Sequence, residues 1–166
     1  MRALLFLKKY VYRVAMKIQI KPSDDVDSAI LIARHNPHYF NKAGIKKMKS
    51  DLSTNIFFGA FVNEDMAGFI NYKIINAKVV EIIWMAIEPK YQNQGIGTRL
   101  ITETLKRFLN KYKICQVKTL SEIDPDQQYA RARAFYIKMK FISLDSNLLH
   151  PDWGKDNPCQ IFIKLL

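Results

Sequence analysis

The chain has 166 residues and a formal net charge of +11, with half its residues apolar and a quarter charged, which suits one domain with a sizeable core. No run approaches the ~20 apolar residues that a membrane span needs. Two cysteines, Cys115 and Cys159, have neither the number nor the spacing of a disulfide framework or zinc site, and read as buried thiols in a reducing cytoplasm. Residues 1–15, MRALLFLKKYVYRVA, carry four of the charges (Arg2, Lys8, Lys9, Arg13), leaving +7 over residues 16–166. Their apolar run, Ala3 to Leu7, is shorter than the ~7–15 residues of a secretory core. The expectation is a loosely attached extension before a single domain at 16–166. A weak membrane-surface or targeting role is the alternative, and Met16 is a second candidate start.

Met16 to Lys21 alternates apolar and polar residues, a strand closed by Pro22. Ser23 and two aspartates signal a helix start, continued by Val26, Ala29, Ile30 and Ala33 at helical spacing. The segment HNPHYFN (35–41) breaks that helix, and Gly44 to Leu52 forms a second. Asn55 to Val62 and Met66 to Ile75 are strands about a turn at Asn63-Glu64-Asp65. The run VVEIIWMAI (79–87) is apolar on both alternate faces, a strand covered on both sides. Gly97 to Tyr112 carries Leu100, Ile101, Leu105, Phe108 and Leu109 on one stripe, a helix packed on the sheet. Ile114 to Leu120 is a strand, and Gln127 to Met139 a helix with Ala130, Ala134, Ile137 and Phe141 toward the core. Phe141 to Leu149 and Cys159 to Leu165 are the last strands. The order β-α-α-β-β-β-α-β-α-β-β predicts an α/β (α+β) domain with a mixed sheet and helices on both faces.

One segment carries chemistry. Gln92-Asn93-Gln94-Gly95-Ile96-Gly97-Thr98 joins the 79–87 strand to a helix N-terminus, where unpaired N–H groups and the positive dipole end suit a phosphate or pyrophosphate. Gly95 and Gly97 allow close backbone approach. The dinucleotide fingerprint fits poorly, because Arg99 and Leu100 follow where a third glycine belongs, and no Walker GK[ST] occurs. Inside the strand Glu81 is a lone carboxylate among Val, Ile and Trp.

The segment resembles the acetyl-CoA-binding core of the GNAT superfamily of N-acetyltransferases, whose [QR]-x-x-G-x-[GA] signature is met by Gln92, Gly95 and Gly97. The preceding EIIWMAIEPKY is similar to that family's strand. A second family motif, Ala-x-x-x-Tyr running into Gly-Phe, is met by Ala132 to Phe141 except that Lys140 replaces the glycine. The resemblance covers essentially residues 16–166.

The resemblance implies a GNAT-like, mostly antiparallel sheet and acetyl-CoA as cosubstrate, lying in a splay between the 79–87 and 114–120 strands. Met85, Ala86 and Ile87 would meet the pantetheine arm through backbone groups of Met85 and Ile87. The loop from Gln92 through Asn93, Gln94, Gly95, Ile96, Gly97 and Thr98 would serve the pyrophosphate, with Asn93 to Thr98 supplying N–H groups. Glu81 stands where some members carry a general base; the alternative is a carboxylate at a strand end in solvent. Tyr136 stands where the family often places a general acid, the alternative being a tyrosine packed beside Phe135. The implied reaction is direct attack by a primary amine, of a small molecule or a protein, on the thioester, with a backbone N–H near Met85 steadying the oxyanion.

Departures are Lys140, which suggests an altered helix cap, and Tyr129 in place of a CoA-contacting asparagine. In the family the 35–41 and 150–158 loops border the acceptor, so Tyr39, Phe40 and Trp153 become candidate pocket walls and Asp152 or Asp156 attractors of a cationic amine. The alternative is loop aromatics packing on the domain. His35-x-x-His38 has no third ligand, so no metal is expected. Arg131 and Arg133 read as a solvated helix face, with contact to CoA phosphates the alternative, and the Lys42, Lys46, Lys47, Lys49 cluster reads as another solvated face. Dimers are common in the family, which keeps a homodimer in view. Two rival readings stand beside the enzyme: a CoA-holding sensor or partner module of the same fold, and a nucleic-acid-binding domain using the positive charge. The latter lacks a recognition motif or an aromatic-basic platform, so no nucleic acid is expected.

Overall fold

The computed structural model describes residues 16–124, 126–148, 150 and 157–166. The 1–15 extension and the candidate wall Trp153, with Asp152 and Asp156, lie outside the described residues. Among those described, the strands are β1 (Ile18–Pro22), β2 (Ile56–Val62), β3 (Asp65–Ile74), β4 (Val79–Ile87), β5 (Ile114–Leu120), β6 (Ile142–Leu148) and β7 (Cys159–Leu165). The helices are α1 (Val26–Arg34), α2 (Lys42–Thr54), α3 (Ile96–Lys106) and α4 (Gln127–Lys138), with a single 3-10 turn at Pro89–Tyr91.

The strands form one sheet in the order β1-β2-β3-β4-β5-β7-β6. Every neighbouring pair is antiparallel except β4 and β5, which are parallel and joined through α3. The element order is the one expected from the sequence. Short polar side chains set the helix starts. Asp25 accepts from the Ser28 N–H, Asn41 from the Gly44 N–H and Asp126 from the Gln128 N–H, each satisfying a donor that the helix leaves free.

Helices cover both faces, and each makes its own core. On one face α1 and α2 bury Ala29, Ile30, Ala33, Met48 and Leu52 against Phe57, Phe69 and Ala86. On the other, α3 sets Ile96, Leu100, Ile101 and Leu105 against Phe58, Ile70, Tyr72, Val80 and Ile82. On that same face Tyr136 of α4 meets Phe141, from the turn after the helix, and Phe162.

Two details of packing differ from the sequence reading. The third helix ends at Lys106, and Arg107 and Phe108 close tighter turns on Thr104 and Leu105. That tightening sends Phe108 and Tyr112 into the core and leaves Leu109 48% exposed. In α4 the stripe Ala130, Ala134, Ile137 faces outward, with Ile137 58% exposed. The buried line is Tyr136 with partly covered Phe135 and Met139. Both stripes have helical spacing; the aromatic one wins because two rings bury far more apolar area than alanines.

Candidate active site

The site begins where β4 and β5 part. Their pairing runs from Val79↔Ile114 to Ile82↔Val117 and stops. Beyond it β4 continues with β3 to Ile87, and β5 with β7 to Leu120. The cause is local: Asn71 faces Trp84 while Tyr72 faces Ile82, so Ile83 is an extra residue in β4. Such a bulge bends the strand and shifts which side chains share a face. Val80 and Ile82, then Met85 and Ile87, contact the α3 core, whereas Trp84 and Ala86 join the α1–α2 core.

The parted strands open a cavity of about 800 Å³. Met85, Ala86 and Ile87 line one wall and Val117, Lys118 and Thr119 the other, with Ala132, Phe135 and Tyr136 of α4 above. The Ile87 carbonyl points away from β3, because it accepts from the side-chain amides of Asn36 at 3.2 Å and Gln92 at 3.1 Å. Strand alternation turns the Met85 backbone the same way, and beyond Ile82 this edge of β4 has no strand beside it among the described residues.

At the wide end sits the N-terminus of α3. Asn93 (φ 59°) and Gly95 (φ 85°) take left-handed conformations, and Gly95 caps α3 without a side chain. The first-turn N–H groups therefore have no side-chain cap. Gly97 lies close under two cavity side chains: a Cβ there would sit 3.3 Å from Met85 Cε and Phe135 Cζ. An open, positively polarised helix end above a strand-lined channel suits an anionic group carrying a thin extended arm.

A model of the acetyltransferase (GNAT) family matches residues 26–141, well over half of the chain. The chain belongs to the GNAT acetyltransferase family. A GNAT-family protein from Desulfovibrio desulfuricans is 16% identical, with a TM-score of 0.77 over 90% of this chain and 99% of that one. A GNAT acetyltransferase from Elizabethkingia anophelis, with acetyl-CoA bound, is 21% identical, with a TM-score of 0.65 over 90% and 98%. The PaiA N-acetyltransferase of Thermoplasma acidophilum, in complex with coenzyme A, is also 21% identical, with a TM-score of 0.66 over 88% and 98%. Those likenesses establish a shared GNAT fold. No curated protein matches the sequence.

In this GNAT domain Glu81 and Cys115 are not among the residues that line the cavity. Tyr136 lines it, its ring edge-on to Phe135 and Phe141, and burial, with a smaller contribution from Cys115, raises the phenol well above 10. Glu81 is 6% exposed, which removes the reading of a solvated strand end. Its carboxylate accepts from Lys118 Nζ at 3.0 and 3.1 Å and from the Gln116 side-chain amide. Burial foremost, with Glu81 adding to it, pushes the Cys115 thiol up to about 12. Among the described residues the buried Thr119 hydroxyl has no hydrogen-bond partner.

Of the residues singled out by sequence, Met85, Ala86, Ile87, Gln92, Asn93, Gly95, Ile96, Gly97, Thr98, Tyr136, Tyr39 and Phe40 line one cavity. Gln94 does not; its side chain bonds the Lys90 carbonyl. Gln92 lines the wall while its amide ties Ile87 to Asn36. Tyr39 donates to the Gln128 carbonyl at 3.0 Å and stacks edge-on with Tyr129, so the loop before α2 touches α4. Arg133 bonds the Leu120 carbonyl, whereas Arg131 lines the cavity rim. His35 pairs with Glu88, not with His38. Lys118, Gln116 and Thr119 were missed. The signal was the alternation of ICQVKTL, which puts Gln116 and Lys118 on one face of β5.

Proposed function

We propose that the protein is an acetyl-CoA-dependent N-acetyltransferase that acts on a primary amine by direct attack on the thioester. The observation that carries this reading is the geometry of the splay. An unpaired β4 edge runs from the uncapped start of α3 to a narrow end, where Tyr136 lies toward the α4 face and Glu81 alternates to the other. Met85 and Ile87 would pair with the pantetheine arm, and N–H groups from Asn93 through Thr98 would hold the pyrophosphate. The two relatives that hold acetyl-CoA or coenzyme A support this assignment.

Glu81 takes a proton from the acceptor ammonium, directly or through water, and Tyr136 protonates the departing thiolate. A phenol raised by burial remains neutral over the working range and holds its proton ready. The Met85 N–H steadies the oxyanion. With Cys115 pushed up to about 12, its thiol stays protonated and is a poor nucleophile, which supports direct transfer over a covalent enzyme step. Tyr39 and Phe40 wall the acceptor side, and buried free thiols support a reducing, cytoplasmic setting. Among the described residues no helix is long and apolar enough to cross a membrane, and no group of three metal-ligating side chains forms.

The engagement of Glu81 by Lys118 favours a second reading, a CoA-holding sensor that transfers poorly. Thiol release from acetyl-CoA across a panel of primary amines separates the two. Acceptor-dependent release supports the transferase. Tight CoA binding with release no faster than hydrolysis for every amine supports the sensor.

A further inference from the structure

A lysine already stands in the wall of the cavity, its ammonium held by a carboxylate just behind that wall. Lys118 is the first β5 residue beyond the last β4–β5 pair, Ile82↔Val117, so its side chain leaves the sheet at the point where the strands part. It lines the cavity, and its ammonium is held at 3.0 and 3.1 Å by both oxygens of a Glu81 carboxylate that is almost wholly buried. Lys47, by contrast, pairs with Asp51 on an exposed surface, and Lys42, Lys46 and Lys49 ring the outer groove of α1 and α2. Among the described lysines that have a salt bridge, Lys118 alone combines a buried carboxylate partner with access to the cavity.

We infer that the ε-amine of Lys118 is an internal acetyl acceptor, so that the protein acetylates itself at this residue. The inference rests on the proposed placement of the thioester at the narrow end of the splay. The chemistry balances without a further reactant. One proton of the ammonium passes along the existing hydrogen bond to Glu81, in a setting where burial penalises both charges. The freed nitrogen lone pair attacks the acetyl carbonyl carbon, a C–N bond forms and the C–S bond breaks. The sulfur leaves with the bonding electrons and collects the second proton, giving free coenzyme A thiol, an amide on Lys118 and a neutral Glu81 carboxyl. The product side chain no longer holds Glu81 by charge, and once the Glu81 carboxyl has given its proton to water the carboxylate would be free for an external amine. Such a step turns the ion pair from an obstacle into a priming device.

The test incubates the full chain with isotope-labelled acetyl-CoA and maps the label by peptide mass spectrometry, with acetyl-CoA binding measured separately by calorimetry. Exposed Lys42, Lys46 and Lys49 report the uncatalysed background. Lys118 is expected to label at least on the order of tenfold faster than these, because the cavity holds amine and thioester together. Lys118→Arg keeps a cation beside Glu81 and should lose the fast labelling while still binding acetyl-CoA. Labelling of Lys118 no faster than of Lys42, in a chain that binds acetyl-CoA, overturns the inference and leaves the transferase reading in place. Fast labelling that survives Lys118→Arg overturns it too. Failure to bind acetyl-CoA removes both.

Discussion

Glu81 on β4 and Lys118 on β5 hold each other at 3.0 Å, two residues further along β5 than the Glu81↔Gln116 register would pair them directly. The lysine reaches back across the parting strands, and both side chains are largely removed from water. Breaking one partner of such a pair strands the other. Glu81→Leu should therefore lower unfolding stability by roughly 3–5 kcal/mol, and Lys118→Met by a similar amount. The Glu81→Leu, Lys118→Met double variant should recover most of that loss. Denaturant unfolding of the four proteins gives the cycle; additive losses would show that the pair is not a unit.

Tyr136→Phe separates the proposed acid from a packing role. The ring keeps its contacts with Phe135, Phe141 and Phe162, so stability and acetyl-CoA affinity should change little. Turnover should fall by about 10²–10⁴-fold, the usual weight of a positioned proton donor. Unchanged turnover removes Tyr136 from the mechanism.

How much of this was legible beforehand follows the range of the signals. β4, β5 and β7 have the bounds read from sequence, because a covered strand announces itself as an apolar run, as β4 does, or by alternation between turns, as β5 does. The Gly95–Gly97 turn was legible because its mechanism is local: a strand, two glycines and a helix start. Lys118 was not, since its meaning depends on which strand lies beside β4 and in which register. The face of α4 was misread for a related reason. Ala130, Ala134 and Ile137 make as regular a stripe as Phe135, Tyr136 and Met139, and only the position of Phe162 across the sheet decides between them.

The two glycines of the turn should fail differently. Gly95 has open space around its missing side chain but a φ of 85°, so Gly95→Ala should cost about 1 kcal/mol in stability through backbone strain. Gly97 is helical, and Gly97→Ala would push a methyl against Met85 and Phe135 from the cavity side. Its loss should appear in acetyl-CoA affinity, on the order of tenfold or about 1.4 kcal/mol, with little change in melting temperature. Calorimetric titration and thermal unfolding on both variants check the contrast. Equal affinity in Gly97→Ala would place the cofactor elsewhere.

Alkaline stability tests the burial of Cys115. Its thiol ionises at about 12 in the fold against a usual value of 9.0. Below pH ~9 the folded and unfolded thiols are both protonated and nothing is lost. Between ~9 and about 12 the unfolded chain gives up the proton while the folded chain keeps it. Stability then falls as pH rises, by about 1.4 kcal/mol per unit for this group. Tyr72 and Tyr136, raised chiefly by burial, add their own slopes above ~10. Cys115→Ala should remove one such slope, leaving the part due to Cys159, which burial raises as well. Urea unfolding at pH 8 to 10 measures the difference, and identical slopes would mean that Cys115 ionises freely.

Lys140 stands where the family motif has glycine, yet the helix ends as a glycine would end it. Lys140 adopts a φ of 66°, and the Phe141 N–H bonds the Tyr136 carbonyl at 3.0 Å while the Lys140 N–H bonds that of Ile137 at 2.9 Å. These two bonds are the paired closure of a left-handed helix stop, so the cap geometry is retained and the strain is carried by the lysine backbone. Lys140→Gly relieves that strain, about 1 kcal/mol, against a smaller loss from the extra freedom of glycine in the unfolded chain. The expected outcome is a melting temperature higher by roughly 1 °C with turnover unchanged, since the carbonyl of Tyr136 is already held in place. A lower melting temperature would mean that the Lys140 side chain contributes more than its backbone costs.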